Sequence, residues 1–209
     1  MKKWLTILLA LLVLSSIALA EMPRAVGNLI PATAQLVDMD MDDGIREYEY
    51  RDGNTRYDVS MRGETLLMLE TTNPAGDAVP APTDEALVTE LMKQLPEATV
   101  DGVYTVKDDG RQRRVAFLRQ GGDVYEFVTE AETAKVVHMT QFFGAADITS
   151  LPDVWRAVQD AKGAAVLTDV ELEYDDGCLV YKGDASLNGK RFEFEILAEN
   201  GKLLQWEKD

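Results

Sequence analysis

The chain has 209 residues, of which 46% are hydrophobic and 28% charged, and its net charge at neutral pH is −16. This acidity argues against binding to nucleic acid or anionic lipid, because phosphate binding requires clusters of Lys and Arg. The single cysteine, Cys178, excludes an intramolecular disulfide, so the fold must depend on its apolar core.

The first twenty residues have the features of an export signal. Lys2 and Lys3 precede an apolar run, and the segment ends in Ala18-Leu-Ala20, which is typical of a cleavage site. The apolar run is shorter than the roughly 20 residues that span a bilayer. We therefore predict a signal peptide over residues 1–20 and a secreted or extracytoplasmic location, in the cell envelope or periplasm. No stable membrane span is expected after cleavage, and retention of the segment as an anchor is the alternative.

The tripeptide Asp-Asp-Gly occurs three times, ending at Gly44, Gly110 and Gly177. Alternating apolar and polar residues around it are typical of strands with one buried face, and Asp-Gly between such runs favours a hairpin. An aromatic–acid–apolar triplet follows in each case: Tyr57-Asp-Val59, Tyr125-Glu-Phe127 and Phe192-Glu-Phe194. We interpret this regularity as three copies of one unit.

A helix is predicted before the second and third copies. The apolar stripes that predict them are Leu87, Leu91, Met92 and Leu95, and then Leu151, Val154, Trp155 and Val158. Ser150 is placed to cap the second helix, with Asp153 three residues on, and Gly163 to end it. The first copy is preceded only by a short segment over residues 22–30, so no full helix is expected there.

These elements predict an α+β fold of tandem units, each with one helix packed on a four-stranded antiparallel sheet, the first unit lacking a full helix. The predicted boundaries are a β unit over residues 21–72, a Pro-rich linker over 73–83, and domains over 84–142 and 148–209. Units of about 60 residues are marginally stable alone, so we expect them to share contacts.

The order of a helix, a strand ending in Asp-Asp-Gly and a Tyr-Glu-Phe triplet resembles the PepSY domain. The second copy carries it in Asp108-Asp-Gly110 and Tyr125-Glu-Phe127, and the third in Asp175-Asp-Gly177 and Arg191-Phe-Glu-Phe194. The first copy matches in its strands only and is interpreted as a degenerate PepSY-like unit. The resemblance implies an exported, non-catalytic module with a protein partner. In propeptides of secreted metallopeptidases such domains are linked to holding the enzyme inactive, so a restrained peptidase is the implied partner.

The stretch from Val37 to Glu49 has acids at spacings close to those of a calcium-binding EF-hand loop. An EF-hand requires glycine at the sixth position and helices on both sides. Here Asp43 is sixth, the glycine is seventh, and both flanks alternate like strands, so the EF-hand interpretation fails. As a hairpin, the stretch places Met41 opposite Arg46, with the pairs Met39–Tyr48 and Val37–Tyr50 beyond it.

The same register places Asp40 opposite Glu47 and Asp38 opposite Glu49. One interpretation is a solvated face screened by Arg56 and Arg62 on the next strand. The other is a site for Ca²⁺ or a basic partner, since clustered carboxylates suit hard cations. The only candidate metal ligands in the sequence are therefore Asp38, Asp40, Glu47 and Glu49.

No catalytic or cofactor-binding residue is predicted. His138 is the only histidine, so a His-rich zinc site is impossible, and nothing in the sequence near Cys178 makes it a nucleophile. The expected function is an exported PepSY-like binding protein that acts through its sheet edges or the acidic face of the first unit. A Ca²⁺-binding envelope protein is the alternative. A hydrolase using two of the many carboxylates is the third hypothesis.

Overall fold

The structure is a computed structural model, and it describes residues 22–42, 44–108 and 110–209. The predicted signal peptide, residues 1–20, lies outside the described residues. Strands contain 56% of the described residues and helices 12%. The chain divides into two compact units between Ala75 and Gly76.

The first unit is an antiparallel set of four strands in the order β1-β2-β3-β4. These strands are β1 (Gln35–Asp42), β2 (Ile45–Asp52), β3 (Thr55–Arg62) and β4 (Thr65–Thr72). The predicted register of β1 and β2 is confirmed for Met41–Arg46 and Met39–Tyr48. The predicted pair Val37–Tyr50 is wrong, because a bulge between Leu36 and Asp38 brings Leu36 opposite Tyr50.

One face of these strands is buried along β2, β3 and β4 and becomes exposed at β1. Tyr48, Tyr50 and Val59 are buried, and the rings of the two tyrosines stack with their centroids 6.3 Å apart. Across the ladder from Tyr48, Met39 is 50% exposed, and Met41 is 61% exposed. The apolar face of the first unit therefore continues onto a strand that water reaches.

The second unit contains eight strands and two helices. Its elements are α1 (Asp84–Gln94), β5 (Thr99–Asp108), β6 (Arg111–Gln120), β7 (Asp123–Glu130), β8 (Val136–Phe142), α2 (Leu151–Lys162), β9 (Val166–Asp175), β10 (Cys178–Leu187), β11 (Lys190–Leu197) and β12 (Lys202–Lys208). The strand orders are β8-β7-β6-β5 and β12-β11-β10-β9, all antiparallel. Within this unit β5 and β9 each end a row of strands.

Both predicted helices are present, and a side-chain hydroxyl caps the start of each. The Thr83 hydroxyl accepts a hydrogen bond from the Ala86 amide at the start of α1. The Ser150 hydroxyl accepts one from the Asp153 amide at the start of α2, and Gly163 ends that helix with φ +68°. A left-handed φ costs glycine little, which is why it terminates helices. The predicted cap and stop of α2 are confirmed.

The predicted fold class, tandem units of one helix on a four-stranded sheet, is wrong. The described residues are mostly β, with 56% in strands and 12% in helices, and only two helices accompany the twelve strands. Helix α1 packs on one set of strands, where Leu87 and Leu91 share a buried cluster with Phe127. Helix α2 contacts β5 as well as β12, so it does not cover a single sheet of its own. Periodicity identifies the buried stripe of a helix but not the strands that will cover it.

Candidate functional site

A groove of about 940 Å³ lies between β5, β9 and α2 in the second unit. Residues 101–107 of β5 and 167–170 of β9 line it without interruption. Side chains of a strand point alternately to its two faces, so a wall built from successive residues is the edge of the strand. The groove is therefore bounded by the edges of two terminal strands, and α2 forms its third wall.

The position of α2 follows from its amphipathic sequence and from one glycine. Leu151, Val154 and Val158 are buried, whereas Trp155 is half-buried at the groove. A β-carbon on Gly102 of β5 would lie 3.0 Å from Leu151 Cδ2, closer than side chains normally pack. The absence of a side chain at position 102 thus lets the start of α2 approach β5 and form one end of the groove.

Tyr104 lies in the lining of the groove and connects its two strand edges. Its ring stacks on Phe117 with centroids 6.3 Å apart, and its hydroxyl donates a hydrogen bond to the Val170 carbonyl on β9. Burial raises the pKa of Tyr104 far above its usual value, and the nearby carboxylates of Glu126, Asp169 and Glu171 add to the rise. Tyr104 is therefore a neutral hydrogen-bond donor at physiological pH.

An ion pair lies at the Asp101 end of the groove. Arg119 Nη2 is 2.6 Å from Asp101 Oδ2, and both side chains are largely buried. The same guanidinium donates hydrogen bonds to the carbonyls of Ala146 and Ile148, at 2.7 and 3.2 Å. The Asp101 carboxylate is consequently engaged in the ion pair with Arg119, and this pair holds the β5 wall of the groove in place.

The remaining groove residues offer apolar surface and little reactive chemistry. The lining has no histidine, cysteine, serine or glutamate. Its hydroxyl groups belong to Tyr104, Thr105 and Thr168, and its other charged groups are Lys107 and Asp169. The Asp169 carboxylate accepts a hydrogen bond from the Val170 amide, at 3.0 Å. Arg156, at the rim, pairs with Asp153 outside the groove. A nucleophile requires an adjacent base, and acid–base catalysis requires a positioned proton donor or acceptor. The arrangement supports binding better than catalysis.

The four candidate metal ligands lie on β1 and β2 in the predicted pairs, Asp38 opposite Glu49 and Asp40 opposite Glu47. Asp38 and Asp40 each accept a hydrogen bond from the next residue's amide, at 2.9 and 2.7 Å. Glu49 pairs with Arg51 at 2.7 Å, and Arg56 Nε lies 3.9 Å away. Within the described ranges, no group of three or more His, Cys, Asp or Glu is arranged to hold a metal ion.

The two residues considered for nucleophilic chemistry have other surroundings. His138 Nε2 lies 3.1 Å from the Thr140 hydroxyl on the same strand. Cys178 is exposed at the start of β10. Neither residue is among those that line the groove.

The sequence assigned Trp155 to the buried stripe of α2 and did not indicate the groove. The structure instead separates Trp155, which is half-buried, from its three buried neighbours in that stripe. The residues around the groove come from segments about 65 positions apart, so only the tertiary fold brings them together. The sequence analysis indicated only the kind of surface. A strand at the end of a sheet has unpaired backbone groups, and the protein was expected to bind through its sheet edges.

No protein-family model matches the chain, and no curated protein matches it. The similar solved structures include a lipoprotein candidate from Clostridium difficile 630, at 13% identity and TM-score 0.36, covering 64% of this chain and 96% of the other. A cysteine-rich secretory protein from Staphylococcus aureus has 14% identity and TM-score 0.33, covering 61% of this chain and 52% of the other.

The YpeB C-terminal domain of Bacillus megaterium is similar at 12% identity and TM-score 0.32, covering 88% of this chain and 93% of that domain. Likeness at this level is too remote to transfer a fold or a function. The PepSY resemblance therefore stays a prediction. The part of the chain that the structure describes contains no helix with the length and apolarity needed to cross a membrane.

Proposed function

We propose that this protein is exported and acts without catalysis, by binding another protein in the groove between β5, β9 and α2. The observation that carries the proposal is the composition of the groove: two strand edges and an apolar helix wall, with Asp101 occupied by Arg119. Small-molecule pockets are usually 300–1,000 Å³, and the groove, at the upper end of that range, has room for a segment of a partner protein. Trp and Tyr, both present here, are enriched at the energetic centres of protein interfaces.

The partner we propose is a secreted or envelope peptidase, which this protein restrains. The support for this part is the PepSY-like pattern around Asp108-Asp-Gly110 and Asp175-Asp-Gly177, together with the signal-like start of the chain. Restraint requires only that a bound surface blocks or holds the enzyme, so it requires no catalytic group in the groove.

The test is capture of the partner with matched variants. The full chain is expressed in its native host with a C-terminal tag, cross-linked, and recovered from the envelope and secreted fractions. Trp155→Ala removes the half-buried aromatic ring from the groove. Trp206→Ala is the control: Trp206 is also half-buried, but it stacks on Phe192 outside the groove.

We expect the wild type and Trp206→Ala to recover the same protein, and Trp155→Ala to recover about tenfold less, as for an interface hot spot. The purified partner should cleave a fluorogenic peptide more slowly when equimolar wild-type protein is added. Recovery that does not depend on Trp155 would refute the groove as the binding site. A partner without peptidase activity would refute the restraint but not the binding.

A further inference from the structure

We infer that the ligand of the groove is an extended polypeptide segment, apolar at every second residue, that adds as a strand to the free edge of β5. This inference rests on the proposed function and specifies the chemistry that the groove recognises.

The backbone of β5 has one edge available for pairing within the second unit. Within the second unit β5 is the last strand of its row and pairs with β6, from Thr99–Arg119 to Asp108–Arg111. In an antiparallel pair, every second residue directs its N–H and C=O away from the partner strand. Those groups face the groove, because successive residues 101–107 line it. An extended peptide is the ligand whose own N–H and C=O groups match such a row.

The two strand edges differ in the length of wall that they contribute. Seven residues of β5 contribute to the wall, and β9 contributes four. At about 3.3 Å per residue, the β5 edge presents roughly 20 Å of backbone, enough for six or seven ligand residues. The longer edge identifies β5 as the strand that the ligand extends.

The helix wall of the groove constrains the side chains of the ligand. In a bound strand they alternate between two directions, and one set points at α2, where Pro152 and Trp155 present apolar surface. Burying that set against these residues contributes about 25 cal/mol of favourable binding free energy for each Å² of apolar surface removed from water. The ligand is thus expected to be apolar at alternate positions and free to vary between them.

The net charge of the chain bears on the source of the added strand. A second copy of this chain would carry the same net charge of −16, and like charges keep proteins apart at low ionic strength. A segment of a different protein is therefore the expected occupant. Sedimentation tests this choice, since a dimer that Trp155→Ala dissociates would show that the occupant is a second copy and overturn the inference.

The experiment uses an array of blocked seven-residue peptides with Val, Leu or Phe at alternate positions and Thr, Ser, Lys or Glu between them. The strongest binder is labelled and titrated with the full chain by fluorescence anisotropy. Two analogues are then made, each N-methylated on one alternate set of amides. Methylation of the amides that face β5 removes the N–H groups that would pair with that strand, whereas methylation of the other set leaves those N–H groups intact.

We expect one analogue to bind at least about tenfold more weakly and the other to bind within about threefold of the parent. Trp155→Ala should weaken the parent peptide about tenfold, and Trp206→Ala should leave its affinity unchanged. Thr168→Arg serves as a second groove variant, because Thr168 is exposed and its replacement removes no buried group. It should also weaken binding.

Equal affinity of the two N-methylated analogues, or an array in which no peptide binds more tightly than its proline-containing version, would overturn the strand addition. These outcomes differ from failure of the proposed function. A partner whose capture depends on Trp155, but which leaves the β5 amides without added protection in hydrogen exchange, would keep the groove as the binding site and exclude the extended strand.

Discussion

Arg119 and Asp101 form a largely buried ion pair, with Nη2 2.6 Å from Oδ2, at one end of the β5–β9 groove. We predict that Arg119→Leu lowers the free energy of unfolding by about 3 kcal/mol, because it leaves a buried carboxylate without its partner. The measurement is urea denaturation followed by circular dichroism. Arg156→Leu is the control: its pair with Asp153 is exposed and should change stability by less than about 0.5 kcal/mol. Equal effects of the two substitutions would contradict this account.

Gly183 of β10 leaves no space for a side chain. A β-carbon there would lie 2.8 Å from the carbonyl carbon of Asp169 and 3.0 Å from the α-carbon of Val170, both backbone atoms of β9. Gly183→Ala should therefore destabilise the protein by about 1–3 kcal/mol, the usual cost of overpacking. Gly76→Ala, which meets nothing within 4 Å, should be nearly neutral. A thermal melt of each variant measures the difference, and equal melting temperatures would contradict it.

The like-charged pair Asp40–Glu47 predicts a stabilising substitution on β2. Glu47→Lys replaces two opposed carboxylates by an ion pair and should raise the free energy of unfolding by about 0.5 kcal/mol. Glu49→Lys faces Asp38 in the same way but loses the 2.7 Å pair with Arg51, so its gain should be smaller or absent. Urea titrations at low and high salt measure both, and the gain from Glu47→Lys should shrink at high salt. A gain that is independent of salt would refute the electrostatic cause.

Alkaline pH should destabilise the first unit through Tyr50. Burial, together with the nearby Tyr48, raises the pKa of Tyr50 from 10.0 to about 12. Tyrosine is neutral below its pKa. Because the pKa of Tyr50 is lower in the unfolded chain than in the folded protein, the unfolded chain loses this proton at a lower pH. The contribution of Tyr50 to stability is complete below pH 10 and is lost as the pH rises towards 12, on the order of 2 kcal/mol in total.

The urea midpoint measured from pH 9 to 12 tests this expectation. Tyr50→Phe has no proton to lose, so its stability should fall less steeply over the same interval. Parallel curves for the wild type and Tyr50→Phe would show that Tyr50 is not responsible.

The local structure of this chain was predictable because it depends on neighbours in the sequence. Asp176 and Gly177 have φ values of +46° and +75°, as the Asp-Gly hairpin signal requires. The Ser150 cap is likewise a contact across three residues. The bulge that displaces Val37 was not predictable, since alternation alone assumes a regular ladder.

The grouping of strands and the groove depend on distant contacts. Gly102 meets Leu151 across 49 positions, and Tyr104 reaches Val170 across 66. A single sequence gives no measure of such contacts. The hydrophobic pattern of α2 therefore indicated a buried Trp155, whereas the structure leaves this residue partly exposed in the groove.

The exposed strand β1 gives the acidic stretch around residue 40 a physical role that does not depend on calcium. Met39 and Met41 present apolar surface to water at the end of a row of strands, where edge-to-edge aggregation normally begins. Asp38 and Asp40 alternate with them and act as gatekeepers. A second molecule that joined this strand would bring its own aspartates against these, so their mutual repulsion opposes edge-to-edge assembly of the chains.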